Sequence, residues 1–91
     1  PYAKLARLLG RQRSSEQVES EANEIATQLR NRISEQQATS TSIIGPVPCF
    51  FGRVAGNHRW QVVLRGPNPA SLIEVPPPDG WRLEVDPLSL L

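Results

Sequence analysis

The sequence contains no methionine, a single cysteine (Cys49) and a single histidine (His58). One cysteine excludes an intrachain disulfide, and one cysteine with one histidine cannot supply the three or four Cys/His ligands of a structural zinc site. The same scarcity leaves no Ser/His/Asp or Cys/His constellation, so we expect no catalytic site and no cofactor in this chain. Because a complete translated chain starts with methionine, its absence predicts a piece of a longer protein.

Long apolar runs are also missing. No run reaches the roughly 18 residues of a membrane-spanning helix, and the start of the chain lacks a signal-peptide pattern, so we expect a soluble, cytoplasmic protein. The 91 residues suffice for a single domain, residues 1–91, with one core, and they exclude a large enzyme. A content of 38% hydrophobic and 21% charged residues indicates a folded chain rather than a disordered one.

Lysine is nearly absent, because nine of the ten cationic residues are arginine. The guanidinium group is a planar fork of donors that matches phosphate and carboxylate geometry. This composition indicates a phosphate-binding surface, although ordinary surface ion pairs explain it equally well.

The longest element that the sequence predicts is a helix over residues 14–38. Ser14 or Ser15 can cap it, and Gln17 lies where a capping box needs its second member. Apolar residues recur at helical spacing along one stripe that should face the core. They are Val18, Ala22, Ile25, Ala26, Leu29 and Ile33.

Two later segments, 59–65 and 81–86, alternate apolar and polar residues as half-buried strands do. Their apolar faces, which we expect to pack against the helix, consist of Trp60, Val62, Leu64, Trp81, Leu83 and Val85. The Gly- and Asn-containing segment 52–59 has the composition of a hairpin tip. A second helix in 68–75 can have only one or two turns, because three prolines follow at 76–78. Residues 2–9 fit helical and strand spacing equally well.

Four segments occur in order along the chain: PYAKLARL at 1–8, GPVP at 45–48, RWQVVL at 59–64 and LEVDPLSLL at 83–91. Together they resemble the carboxy-terminal domain of primosomal protein N′, the PriA-type bacterial replication-restart DNA helicase. The resemblance implies that residues 2–11 form a strand. It also implies an α+β fold, a split β-α-β sandwich with a mainly antiparallel sheet of four or five strands, similar to a small-subunit ribosomal protein. The Gly-Pro-x-Pro segment is expected to be a turn that redirects the chain.

The same resemblance implies a parent protein whose upstream domains use ATP, magnesium and zinc. In that family this domain is associated with binding forked or single-stranded DNA and with helping to dock the single-stranded-DNA-binding protein. Relatives have a longer and more basic second helix, so contacts made by that helix are not transferred to this chain.

The candidate DNA-binding residues form two groups. The first is the expected hairpin, which offers Arg53, Asn57, His58 and Arg59. The second is the basic first segment, which offers Arg7, Arg11 and Arg13. The alternatives are a merely solvated hairpin and cross-strand ion pairs from the first segment to Glu84 and Asp86. Two hypotheses follow. The first is that the chain is a DNA-binding and docking domain of the restart helicase, and the second is that it is a structural buttress of the helicase core without DNA affinity.

Overall fold

The structure, a computed structural model, describes residues 4–54, 56–73 and 76–85, with the backbone alone for 50–54. In chain order its elements are β1 (Lys4–Gln12), α1 (Ser15–Glu35), β2 (Ser42–Val54), β3 (Asn57–Gly66), a 3₁₀ turn (Pro69–Leu72) and β4 (Trp81–Val85). The strand implied for residues 2–11, the hairpin and the very short second helix are thus confirmed over the described residues. No helix in these ranges is long and apolar enough to cross a membrane.

The four strands form one sheet in the order β2-β3-β1-β4, and every neighbouring pair is antiparallel. Since β3 lies between β1 and β2, these two strands run parallel to each other, and α1 connects them across β3. This is the split β-α-β arrangement that the sequence predicted. The α+β class with an antiparallel sheet is confirmed.

Helix α1 begins where the sequence predicted and ends three residues earlier than predicted. The Ser14 hydroxyl accepts a hydrogen bond from the Gln17 amide at 3.2 Å, whereas the Gln17 side chain donates to Glu21, so half of the expected capping box forms. At the other end Gln37 has φ of 52°, and the Ala38 amide donates to the Ile33 carbonyl at 2.9 Å. A residue in the left-handed conformation, followed by an amide that donates back to a carbonyl of the last turn, is a common way for a helix to end. Helix α1 therefore ends at Glu35 instead of continuing to 38.

The core lies between α1 and one face of the sheet, as the apolar patterns predicted. Its buried members are Ala6, Leu8, Val18, Ala22, Ile25, Leu29, Val62, Leu64, Leu72, Ile73 and Trp81, with Ile33, Trp60 and Leu83 packed at its margin. Val85 pairs with Ala6 and so lies on this face as expected, but it is 53% exposed because it is at the end of β4, an edge strand.

The Gly-Pro-x-Pro segment is not a turn, which corrects the expectation for residues 45–48. These residues lie inside β2, whose pairing with β3 shifts register between Ile44 and Val47 and then resumes. Gly45 has φ of 96°, a conformation that favours glycine, and the two prolines lack the amide donor that a central strand needs. The segment is therefore an irregularity within an edge strand, and the chain keeps its direction.

Candidate nucleic-acid interface

The face of the sheet opposite α1 carries a concentration of arginines. Because side chains alternate along a strand and Ala6 and Leu8 belong to the core, the odd-numbered residues of β1 point away from the helix. Residues of β3 and β4 that pair with these positions lie on the same face. Five arginines are therefore on it: Arg7, Arg11, Arg59, Arg65 and Arg82. We call it the open face. Exposed acidic residues of α1, such as Glu16, Glu19 and Glu24, lie in the opposite layer, whereas the open face carries mainly arginines together with the carboxylate of Glu84.

Arg11 of β1 and Arg59 of β3 are direct cross-strand partners on the open face. Within the described part of the chain, neither side chain forms an ion pair or a hydrogen bond. Like charges directly opposite each other destabilise a sheet. The pair is thus unfavourable for the fold by itself, and an anion bound between the two guanidinium groups would relieve the repulsion.

A cavity of about 480 Å³ adjoins this pair. Its lining consists of Leu9, Arg11, Arg59, Gly80, Trp81 and Arg82. Gly80 holds the start of β4 against β1, since its carbonyl accepts from the Arg11 amide at 2.9 Å. A side chain at Gly80, which has φ of 86°, would also come within 2.9 Å of the Arg11 carbonyl oxygen. The glycine therefore permits the close approach that forms one wall of the cavity.

Glu84 joins two further arginines beside the cavity. Its Oε1 accepts from Nε of Arg7 at 2.9 Å and from Nη2 of the same side chain, and its Oε2 accepts from Nη2 of Arg82 at 2.9 Å. The Arg7 side chain is 12% exposed and that of Arg82 is 67% exposed. Arg7 is thus occupied by the carboxylate, which is the alternative predicted for it, while Arg82 keeps most of its donors towards solvent. The predicted role of Arg7 in DNA contact stays a prediction.

The expected hairpin cluster is divided between the two faces of the sheet. Asn57, His58 and Arg59 follow the β2–β3 turn and are half-buried, and His58 pairs with Gln12 of β1. By alternation His58 lies on the helix side, whereas Arg59 lies on the open face beside Arg11. The side chain of Arg53 lies outside the described residues, as does Asp86, the other acid predicted to pair with the first segment. Arg13 is exposed just beyond the end of β1.

Arg82 is the residue that sequence reasoning missed. The alternation of 81–86 already placed it opposite the apolar face of its strand. The missing information was that β4 pairs with β1, which brings Arg82 opposite Leu9, two residues before Arg11.

The chain matches the family described as the primosomal protein N C-terminal domain over residues 1–88. It belongs to that family. It is also 31% identical over 51 residues to the replication restart protein PriA of Haemophilus influenzae, an alignment that covers 56% of this chain and 7% of that protein. This primosomal C-terminal domain therefore corresponds to a small part of the relative's length, and the resemblance found in the sequence is confirmed.

Other chemistry in this primosomal domain is limited. In the described ranges no group of three or more His, Cys, Asp or Glu side chains could hold a metal ion. Cys49 is half-buried rather than fully buried, and burial raises the pKa of its thiol more than Arg59 and Arg7 lower it. The neutral thiol is therefore favoured, in keeping with the interpretation of Cys49 as a small apolar residue.

The ion pairs of Glu84 should make stability depend on pH. Hydrogen bonds from Arg7, foremost, hold the pKa of the Glu84 carboxyl below its ordinary value. The stabilisation is thus complete above the unfolded pKa and disappears as the pH falls through the lower folded pKa. We expect Glu84→Gln to be less stable than the wild type at neutral pH, with the difference shrinking at an acidic pH below the ordinary range of a glutamate pKa.

Urea unfolding at the two pH values measures this difference. Glu24→Gln, on the exposed side of α1, removes the same charge and is the matched control. An equal stability difference for Glu84→Gln at both pH values would show that the carboxylate charge contributes nothing.

Proposed function

We propose that this domain binds DNA through its phosphates and so helps the restart helicase recognise forked or single-stranded DNA by backbone geometry instead of base sequence. The observation that carries this proposal is the Arg11–Arg59 pair, two adjacent cations without an acidic partner among the described residues. A DNA strand carries one negative charge at each phosphate along its backbone. The guanidinium group of arginine binds two phosphate oxygens at once.

The unequal distribution of charge between the two layers supports the same proposal. DNA approaching α1 meets exposed glutamates, whereas DNA approaching the open face meets arginines. Phosphate contacts position a protein on nucleic acid without reading sequence. The domain would therefore present one face to the backbone and add affinity to whatever the remainder of the parent contributes.

Membership of the family is the only basis for proposing functions of a longer parent protein. ATP, magnesium and zinc would then act in upstream domains, and the single-stranded-DNA-binding protein would be a partner of the whole assembly. The second helix, which relatives use for basic contacts, is here a four-residue 3₁₀ turn. Docking of that partner would consequently need another surface of the domain.

A structural buttress is the second candidate, and a specific observation favours it. Ile44 and Val47 of β2 are 48% and 40% exposed, and by pairing they lie on the open face. Apolar side chains of this kind are suited to burial against another part of the parent chain. The two roles use different ends of the face and differ in whether the 91-residue chain has DNA affinity of its own.

Titration of labelled forked and single-stranded DNA with the 91-residue chain tests the proposal. We expect dissociation constants in the non-specific range of about 10⁻⁴ to 10⁻⁶ M, similar for unrelated sequences and markedly weaker at about 200 mM than at about 50 mM salt. The salt dependence follows because each neutralised phosphate releases counterions. Absence of binding at the lower salt concentration would overturn DNA binding and leave the buttress.

A further inference from the structure

The cavity on the open face has more arginines than one internucleotide phosphate needs. Arg11, Arg59 and Arg82 all line it, and of the three only Arg82 contacts a carboxylate among the described residues. The cavity lies where β1, β3 and the start of β4 meet, so residues distant in sequence contribute to one small volume.

We propose that this cavity takes the terminal phosphomonoester of a nucleic-acid strand, an inference that rests on the proposed phosphate binding of the open face. An internucleotide phosphodiester carries one negative charge and has two free oxygens. A phosphomonoester carries nearly two charges at neutral pH and has three strong acceptor oxygens. Three guanidinium forks around one site match the second group better than the first.

Arg82 is the residue by which the cavity would distinguish a phosphomonoester from an internucleotide phosphodiester. Its Nη2 donates to Glu84 at 2.9 Å, and a guanidinium has five N–H donors, so most of its donors remain for a ligand. Arg7 cannot take this place, because Nε and Nη2 both donate to Glu84 and the side chain is 12% exposed. Glu84 therefore positions Arg82 at the edge of the cavity while it holds Arg7 away from it.

The size of the cavity is compatible with more than a bare phosphate. At about 480 Å³ it lies within the range of about 300–1,000 Å³ that small-ligand pockets occupy. Leu9 supplies apolar lining next to the arginines, which suits the sugar or base attached to a terminal phosphate, whereas the Trp81 side chain lies in the core on the helix side of the sheet. A free nucleoside monophosphate has the same chemistry, so the experiment must distinguish it from a strand end.

The test compares single-stranded oligonucleotides of one sequence that carry a 5′-phosphate, a 3′-phosphate or hydroxyl groups at both ends. We expect the 91-residue chain to bind a phosphorylated strand roughly tenfold more tightly than the hydroxyl-ended strand, the factor that one further charge-assisted hydrogen bond provides. Arg82→Gln should reduce this ratio to about twofold or less. Arg30→Gln, which removes the same charge from the exposed side of α1, should keep the ratio.

The outcomes separate this inference from the function on which it rests. Equal, salt-sensitive binding of phosphorylated and hydroxyl-ended strands would overturn the strand-end site and leave DNA binding intact. No binding of any strand would overturn both. Competition by a nucleoside monophosphate at lower concentrations than the phosphorylated strand itself would show that the cavity takes a free nucleotide, and this would overturn the assignment to a strand end.

Discussion

Replacing Leu29 by alanine should lower the free energy of unfolding by about 2–5 kcal/mol. Leu29 is 2% exposed and lies in the core between α1 and the sheet. The substitution removes buried methyl groups and leaves a cavity that a close-packed interior fills only in part. Urea unfolding monitored by circular dichroism gives the change in stability.

Asn31→Ala is the matched control for this substitution, since it lies in the same helix on the exposed side. Its effect should stay within about 0.5 kcal/mol, as is usual for surface positions. A loss for Leu29→Ala no larger than that of the control would contradict the packing of α1 on the sheet.

The double substitution Arg11→Gln and Arg59→Gln should weaken DNA binding and at the same time stabilise the fold. Binding weakens because two phosphate contacts are lost on the open face. Stability rises by up to about 1 kcal/mol, because the substitution removes like charges that are direct cross-strand partners. Opposite effects on the two quantities exclude unfolding as the cause of weaker binding.

Fluorescence anisotropy with labelled fork DNA measures the affinity, and thermal or urea unfolding of the same preparations measures the stability. Arg30→Gln controls for the loss of positive charge away from the open face. A double variant that is less stable than the wild type would show that the two arginines support the fold, and this would remove the main reason for assigning them to an anion.

The elements of the fold were predictable because each has a local pattern. The helical stripe that includes Val18 and Leu29, and the alternation in 59–65, each follow from the periodicity of one segment. The end of α1 was not predictable, because Gln37 adopts a left-handed conformation that sequence patterns associate with glycine. Residues 45–48 have the composition of a turn, and only their pairing with β3 shows that the strand continues.

The candidate site was predictable only in part. The arginine-rich composition, the basic first segment and the expected hairpin indicated a basic surface, and Arg11 and Arg59 were among the predicted contacts. Their direct pairing depends on the register between two strands that are 45 or more residues apart in the chain. The contribution of Arg82 depends in turn on the pairing of β4 with β1. No local pattern contains that information.

The salt dependence of DNA binding tests the central claim most directly. The logarithm of the association constant should fall linearly with the logarithm of salt concentration, with a slope of about 0.7–0.9 for each neutralised phosphate. We expect the slope of the Arg11→Gln/Arg59→Gln variant to be smaller than that of the wild type by about 1.4–1.8, and the slope of Arg30→Gln to be unchanged. Equal slopes for the wild type and the double variant would contradict phosphate binding by the open face.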